Sequence, residues 1–399
     1  MQSRPIRILT FSSLFPNPEQ PQLGLFVAER LRHLLASGEI EAEIVAPVPW
    51  FPSRHAIFGR YAGFARVPAQ SVWQGRRVLH PRYLVVPGPG WYATPLLMAQ
   101  GVRATVARLL REGRGFDLID AHYYYPDGVA AALLGRVLKK PVVITARGTD
   151  VTLIPTHALA RRWILWAARH SAESVAVSGG LRDRMAAIGI DAAKITVLRN
   201  GVDLDRFRPM DRQAARRRIG VDGRVLLSVG HLIELKGHDL VIDALASLPG
   251  WTLLIVGEGP LRDRLRKRAA AAGCADRVRL IGAVPQEELV DYYNAADIFV
   301  LASSREGMAN VLLEAAACGT PILATRVEGS AEVVREPEMG RLLPERSPEA
   351  IAAGVRDFEA RPCDRERIRD HARGLGWEPT TTGLIALFHR VLAETTGPR

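Results

Sequence analysis

The chain has 399 residues, of which 48% are hydrophobic and 24% are charged, a composition that predicts two or three globular domains and argues against disorder. The whole net charge of +11 lies in the first 190 residues, which hold 23 Lys and Arg against 12 Asp and Glu. We therefore expect this half to meet an acidic partner, either anionic membrane lipid or a phosphate-linked acceptor. No zinc-finger, RNP or helix-turn-helix pattern supports nucleic acid as that partner.

The cysteine content and the hydropathy of the chain indicate the cellular compartment in which the protein is expected. Cys274, Cys318 and Cys363 form no CxxC pair, which is typical of a reducing compartment without disulfides or a zinc site. The apolar stretch after the N-terminus is broken too early, by Pro16 and Pro18, for a signal peptide. No apolar run reaches the roughly 20 residues of a membrane-spanning helix. We therefore expect a cytoplasmic protein, soluble or peripheral on the inner face of the cell membrane.

Short apolar strands alternate with amphipathic helices along the chain, which predicts parallel sheets covered on both faces. The first predicted set of strands is Ile6–Ser12, Glu43–Val48, Leu118–Ala121, Pro141–Thr145, Ser174–Val177 and Ile195–Leu198. The second set is Val225–Val229, Thr252–Val256, Val278–Gly282, Ile298–Ala302 and Pro321–Ala324. Two Rossmann-like domains are expected, 1–200 and 201–379, with the break in the arginine-rich connection Asn200–Gly220. The last helix, in 380–399, has an apolar face that needs a surface to cover.

The region from Trp50 to Arg82 mixes aromatic residues with arginines. One interpretation is a long loop with its own packed side chains. The alternative is an interfacial surface, with aromatics in the headgroup layer and arginines on anionic lipid.

Two segments of the first half follow predicted strands and could carry chemistry. Gly24 stands where the first strand leads into a helix beginning near Leu25, and it would let the backbone approach a phosphate; an ordinary turn glycine explains it equally well. His122 could exchange a hydrogen bond with a reacting sugar, although a lone histidine is more often structural. Arg147 and Asp150 end the next strand, close enough to share a cleft edge with it.

In the second half, Gly230–Gly237 follows a strand and opens a helix. Its cations, His231 and Lys236, are placed at the carboxyl end of a strand, where ligands bind in open α/β sheets. Lys236 could neutralise a pyrophosphate, a task otherwise given to a metal ion. A solvated lysine at a helix start is the structural alternative, but the helix dipole disfavours cations there.

The most informative stretch is Ser304–Glu314, which sets Glu306 and Glu314 eight positions apart where a loop turns into a helix. Asn310 is the expected helix N-cap, with the helix running over Val311–Cys318. The N–H groups at a helix start suit an anion. A ligand with both hydroxyls and phosphate, such as a nucleotide sugar, would fit these groups.

Together these motifs resemble the retaining glycosyltransferases of family 4. The resemblance runs through PNPEQPQLGLF, RNGVD, VGHLIELKG, VGEGP, IGAVP and EGMANVLLEAAACGTP. It implies the GT-B fold, an α/β architecture of two Rossmann-like domains facing across a cleft, with the C-terminal helix crossing back to the first domain. The opening PNP…GLF is similar to enzymes that build bacterial cell-surface polysaccharides.

The resemblance also implies roles for individual residues. Glu306 would contact the sugar hydroxyls of the donor, Glu314 the ribose, and Gly282–Val284 the base. Lys236 would bind the diphosphate together with the backbone from Met308 through Asn310 to Val311. From the first domain, Gly24 would close on the phosphate and His122 would lie near the reacting carbon.

Two residues depart from the family pattern. His231 stands where arginine is usual, so we expect donor binding to weaken as pH rises. Arg147 stands where histidine is frequent, and this fixed cation, beside Asp150, suggests an acceptor bearing phosphate or carboxylate.

We therefore predict a retaining hexosyltransferase that moves a sugar from a UDP- or GDP-sugar to a lipid-linked or polysaccharide acceptor. No cofactor or metal is expected, because Lys236 takes the metal's place and the only candidate DxD sequence, Asp203-Leu204-Asp205, lies in the linker. Two alternatives stay open: a GT-B nucleotide-sugar epimerase, and a non-catalytic protein that docks on membrane or nucleic acid.

Overall fold

The computed structural model describes residues 4–86 and 88–396. Its internal contacts divide the chain into two compact units. Unit 1 comprises residues 1–200 and 378–399, and unit 2 comprises residues 201–377.

Unit 1 alternates strands and helices for most of its length. Its strands are β1 (Ile6–Phe11), β2 (Ile40–Val45), β3 (Val48–Pro49), β4 (Gln70–Trp73), β5 (Arg76–Leu79), β6 (Arg82–Tyr83), β7 (Leu118–His122), β8 (Val142–Ala146), β9 (Glu173–Ala176) and β10 (Ile195–Val197). Its helices are α1 (Leu25–Ala36), α2 (Arg60–Arg66), α3 (Thr94–Arg111), α4 (Val129–Leu138), α5 (Thr149–Thr152), α6 (Ala158–His170) and α7 (Gly179–Ala187). The C-terminal helix of the chain, α16 (Glu378–Thr396), also belongs to this unit.

The described strands of unit 1 form a sheet in the order β10-β9-β8-β7-β1-β2-β5-β4, with β3 and β6 paired separately. All neighbours in the large sheet are parallel except β4 and β5. The strand order reverses between β1 and β7, which pair in parallel with Ile8 opposite Leu118. In open α/β sheets a ligand crevice forms outside the carboxyl ends of the two strands at such a reversal.

The segment 50–82 is not a long loop, because it contains α2 and the strands β4 and β5. β4 and β5 make an antiparallel pair at the edge of the sheet, with Ser71 opposite Val78. Trp73 packs edge-on against Phe15, with 5.3 Å between ring centroids, and so belongs to the unit's interior.

Unit 2 has the same alternation. Its strands are β11 (Arg224–Val229), β12 (Trp251–Val256), β13 (Val278–Gly282), β14 (Ile298–Leu301), β15 (Ile322–Thr325) and β16 (Gly340–Leu343). Its helices are α8 (Arg212–Ile219), α9 (His238–Ala246), α10 (Arg262–Ala271), α11 (Gln286–Ala295), α12 (Asn310–Ala317), α13 (Glu328–Val333), α14 (Pro348–Ala360) and α15 (Arg365–Ala372).

The described strands of unit 2 form a wholly parallel sheet in the order β13-β12-β11-β14-β15-β16. Its central strands are buried on both faces, as helix layers on each side require. The order reverses between β11 and β14, which pair in parallel with Leu226 opposite Ile298. This reversal sets the loops that follow β11 and β14 side by side.

Helix α16 packs its apolar face into the core of unit 1, which confirms the prediction that the last helix returns to the first domain. Leu384, Leu387, Phe388 and Val391 are each at most 1% exposed and share a core with α1. Each such buried side chain stabilises by about 1.5–3 kcal/mol, so the helix is firmly held.

Candidate active site

The loops after β11 and β14 meet through their side chains. Lys236 Nζ lies 2.6 Å from Glu306 Oε1, and the two side chains are only 19% and 11% exposed. Both residues were predicted from sequence, and the structure brings them together. A cation and a carboxylate thus stand side by side at the carboxyl edge of the sheet, where open α/β folds bind ligands.

Backbone contacts hold the same two loops together. The Ser304 N–H donates to Leu235 O at 2.9 Å. Gly237 has φ +66°, and a Cβ there would lie 2.3 Å from Ala302 O. Only glycine tolerates both conditions, so the glycine after Lys236 is required by the close approach of the two loops.

Helix α12 begins directly after the Glu306 loop. It starts at Asn310, and its N-cap is Ala309, with no side-chain cap bond. The prediction that Asn310 is the N-cap is therefore wrong; it is the first helical residue. Met308 is buried and Val311 is half-buried. The predicted anion site at this helix start depends on the backbone N–H groups of its first turn, and the contact of these groups with a ligand stays a prediction.

Glu314 lies one turn into α12 and is 8% exposed. Its Oε2 accepts a hydrogen bond of 2.7 Å from the Tyr293 hydroxyl, and its Oε1 a longer one, of 3.4 Å, from the Gln286 amide. Sequence analysis did not single out either donor. Both lie on α11, which carries no motif, and only the packing of α11 on α12 shows the contact.

The linker sequence Asp203-Leu204-Asp205 forms a local turn. Asp203 Oδ1 accepts from the N–H groups of Asp205 and Arg206, at 3.1 and 3.0 Å. Such a turn is an ordinary use of aspartate, as the assignment of this sequence to the linker implies.

Two other predicted donor residues lie on the surface of unit 2. His231 is exposed in the loop after β11, and Val284 is half-exposed just before α11. Their contacts with a phosphate and a base stay predictions.

In unit 1, Gly24 is the N-cap of α1 with φ +63°. A Cβ there would lie 2.1 Å from Leu14 O, so the local backbone already requires glycine. The fold therefore explains why glycine stands at this position, and the contact of Gly24 with a phosphate stays a prediction.

His122, the last residue of β7, lies in a buried network and is 1% exposed. Arg147 Nη2 is 2.7 Å from its Nδ1, and Asp120 Oδ2 is 3.3 Å from its Nε2. Because a guanidinium only donates, Nδ1 must be the acceptor and Nε2 carries the proton. Burial lowers the pKa of His122 to about 4, so the ring is neutral at pH 7.

Arg147 is held on three sides. Besides His122, its guanidinium donates to Asn200 Oδ1 at 2.8 Å and lies over the Phe26 ring, 4.9 Å from the centroid. Burial, with Arg30 nearby, lowers the pKa of Arg147 to about 9, so it stays cationic at neutral pH. These contacts hold the cation in place, and its contact with an acceptor stays a prediction.

Asp150 is fully buried and faces the backbone. Its carboxylate accepts from the N–H groups of Tyr124, Arg147 and Gly148 at 2.8 to 3.2 Å. It therefore ties the loop after β7 to the loop after β8. The position of Asp150 beside a bound acceptor stays a prediction.

A buried ion pair supports this network, and sequence analysis missed it. Arg30 on α1 contacts Asp120 Oδ1 at 2.9 Å and Thr145 Oγ1 at 2.7 Å. The spacing of Val27, Arg30 and Leu34 on one face of α1 could have revealed a buried arginine.

Comparison with known proteins identifies the class. The model described as Glycosyltransferase Family 4 matches residues 26–206, and the one described as Glycosyl transferases group 1 matches residues 210–375. The fold is similar to that of sucrose-phosphate synthase from Thermosynechococcus elongatus, with a TM-score of 0.79, 19% identity and 98% and 100% of the two chains covered. It is also similar to Anabaena HepE in complex with UDP-glucose, with a TM-score of 0.70, 18% identity and 96% and 99% covered. The fold is thus that of the GT-B glycosyltransferases.

Relatives in sequence are glycosyltransferases too. The chain is 32% identical to a D-inositol 3-phosphate glycosyltransferase of Acidothermus cellulolyticus over 72% of this chain and 70% of that protein. It is 28% identical to the putative teichuronic acid biosynthesis glycosyltransferase TuaC of Bacillus subtilis over 92% of both chains. A further D-inositol 3-phosphate glycosyltransferase, from Geodermatophilus obscurus, is 38% identical over 52% of this chain, and that match spans about half (49%) of the relative's length. The chain belongs to glycosyltransferase family 4.

Proposed function

We propose that this glycosyltransferase moves a hexosyl group, with retention of anomeric configuration, from a UDP- or GDP-sugar to a lipid-linked or polysaccharide acceptor of the cell surface. The observation that carries the proposal is the contact of Lys236 with Glu306 beside the start of α12. Lys236 offers a cation for a diphosphate, and Glu306 offers a carboxylate for sugar hydroxyls. The start of α12 offers backbone N–H groups for an anion. Solved relatives in fold bind UDP, UDP-glucose and ADP.

In this proposal Lys236 neutralises the charge that develops on the leaving diphosphate. Glu306 holds the sugar, and Glu314 holds the ribose. The acceptor attacks the face from which the diphosphate departs, and the departing phosphate takes the acceptor proton. Catalysis then comes mainly from positioning and electrostatic stabilisation, with Lys236 in the place of a metal ion. His122 is neutral and has both ring nitrogens bonded within the protein, so in this proposal it transfers no proton.

The acceptor side of the proposal is supported by charge. Arg147 is a fixed, half-buried cation, and phosphate and carboxylate are the groups that a guanidinium binds best. The cell-surface role is supported by the similarity to TuaC, whose name assigns it to teichuronic acid biosynthesis.

Membrane contact is the third part of the proposal. In unit 1, Trp50, Ile57 and Phe58 are 50%, 79% and 45% exposed in one stretch of chain that also carries arginine. Exposed aromatic and aliphatic side chains beside cations suit an anionic bilayer surface. Within the described part of the chain, no helix has the length and apolarity to cross a bilayer.

A panel of UDP-, GDP- and ADP-sugars, incubated with and without lipid-linked and polysaccharide acceptors, tests the function. We expect nucleotide release that depends on acceptor, and a product whose anomeric configuration by NMR equals that of the donor. Nucleotide-sugar isomerisation without acceptor would instead indicate an epimerase, and an inverted product would contradict retention.

Vesicle sedimentation tests the membrane contact. We expect binding to phosphatidylglycerol vesicles but not to phosphatidylcholine vesicles, and reduced binding by an Ile57→Ser, Phe58→Ser variant. As a matched control, Val72→Ser removes a side chain that is 75% exposed on β4. Equal sedimentation with both lipids would contradict the role of charge.

A further inference from the structure

Tyr293 is a rigid hydrogen-bond donor. Its side chain is completely buried on α11, and its ring packs against Phe207 and Phe299, with centroids 6.0 and 5.6 Å away. Burial and the nearby Glu314 carboxylate raise its pKa well above the usual value, so the hydroxyl keeps its proton. The hydroxyl therefore always donates, and its position is set by two neighbouring rings.

Gln286 is oriented by a second contact. Arg206 donates to Gln286 Oε1 at 2.6 Å. Because a guanidinium cannot accept, the amide oxygen must face Arg206, and the amide nitrogen then faces Glu314. The 3.4 Å contact with Glu314 Oε1 is consequently that of a donor, although a weak one.

These two donors act on different oxygens of the same carboxylate. Tyr293 bonds Oε2 and Gln286 bonds Oε1, so rotation of the Glu314 carboxylate is opposed from both sides. A carboxylate has about four acceptor sites, so it can keep these bonds and accept from two vicinal hydroxyls. A carboxylate binds both hydroxyls of a diol only when the carboxylate plane is held in the right orientation.

We propose that Tyr293 is a positioning residue for nucleotide recognition, assisted by Gln286: it fixes the Glu314 carboxylate so that the enzyme distinguishes ribose from deoxyribose. This inference rests on the proposed function, in which Glu314 holds the ribose. Tyr293 does not contact the donor itself. Its hydroxyl acts through Glu314, and its ring serves the core.

The experiment compares UDP with 2′-deoxy-UDP by calorimetry, in the wild type and in Tyr293→Phe. Phenylalanine keeps the ring between Phe207 and Phe299 and removes only the hydroxyl. We expect the variant to bind UDP about tenfold more weakly, which corresponds to one hydrogen bond to a charged group. Its affinity for 2′-deoxy-UDP, which offers Glu314 only the 3′ hydroxyl, should fall by a smaller factor, so the preference for ribose shrinks.

Tyr292→Phe is the matched control, because it removes a hydroxyl from the neighbouring, partly exposed residue of the same helix. It should leave both affinities unchanged. Equal losses of affinity for UDP and 2′-deoxy-UDP in Tyr293→Phe would show a merely structural role and overturn the inference. Unchanged affinity for both nucleotides would overturn it as well. If the wild type bound neither UDP nor GDP, the proposed function itself would fail, which is a separate outcome.

Discussion

Lys236 and Glu306 form an ion pair of 2.6 Å across the loops that follow the two central strands of unit 2. In the proposed function the same two groups contact different parts of the donor, the diphosphate and the sugar. The ion pair must therefore loosen when the donor binds. Each group then exchanges its partner in the protein for a partner in the ligand, and neither group is left without a hydrogen bond.

This exchange predicts a gain of affinity in Glu306→Gln. The variant should bind UDP, which has no sugar for Glu306 to hold, up to about fivefold more tightly, because an ion pair of roughly 1 kcal/mol no longer competes for Lys236. Sugar transfer should fall in the same variant. Calorimetry with UDP and steady-state transfer rates measure the two effects.

Glu359→Gln is the control for this variant. It breaks the pair of Glu359 with Arg224, at the opposite end of β11, and should leave UDP affinity unchanged. Weaker UDP binding by Glu306→Gln would contradict the exchange.

Removing the charge of Lys236 should slow transfer. A charge-assisted hydrogen bond is worth roughly 1.5–3 kcal/mol, so Lys236→Met should lose at least about tenfold in kcat/KM. Lys267→Met, which changes an exposed lysine on α10, should keep the wild-type rate. A Lys236→Met rate within twofold of wild type would remove Lys236 from the mechanism.

The buried pair in unit 1 should matter for stability. Arg30 and Asp120 are 3% and 1% exposed, and Asp120→Asn would leave the guanidinium without its carboxylate. We expect a loss of about 3–5 kcal/mol in the free energy of unfolding, measured with urea. The exposed pair of Arg114 with Glu43 is the comparison, and Glu43→Gln should cost about 1 kcal/mol or less. Similar costs for the two variants would contradict this difference.

His238 should make unit 2 less stable in acid. Burial, with Lys236 nearby, lowers the pKa of His238 to about 4. Between an unfolded value of about 6.5 and that pKa, the unfolded chain binds more protons, so stability falls as the pH falls. The low pKa of His122 acts in the same direction, whereas Asp127, whose pKa burial raises to about 7, opposes both.

The difference between two variants isolates this contribution. His238→Gln should cost stability at pH 7.5, and the cost should shrink by about 1–2 kcal/mol at pH 5. Urea unfolding of wild type and variant at both pH values measures it. A constant difference between the two proteins would show that His238 does not titrate in this window.

Sequence reasoning succeeded where the signal is local. The strands that precede Lys236 and Glu306 are short apolar runs, and strand alternation predicts that the loops after them lie at one edge of a sheet. It failed where the signal is distant or ambiguous. The strands β4 and β5 are short and partly exposed, so neither of the two interpretations of 50–82 included a strand. Tyr293 has the sequence pattern of an ordinary core residue, and only its 2.7 Å bond to Glu314 distinguishes it.

The capping error has a simple cause. Asparagine is a favoured N-cap and alanine is not, so the sequence predicts Asn310 as the cap, but the backbone turns into the helix one residue earlier, at Ala309. Arg30 was overlooked because an arginine in an amphipathic helix is usually solvated, and its partner Asp120 lies 90 residues away.

In the proposed function, unit 2 holds a nucleotide sugar through Glu306, Lys236 and Glu314. Calorimetric titration of UDP- and GDP-sugars into the wild type and into Glu314→Gln tests it most directly. We expect at least one of these donors to bind the wild type, and Glu314→Gln to bind it at least about tenfold more weakly, because the ribose loses a charged acceptor. Absence of binding by the wild type across the panel, or equal binding by the variant, would contradict it.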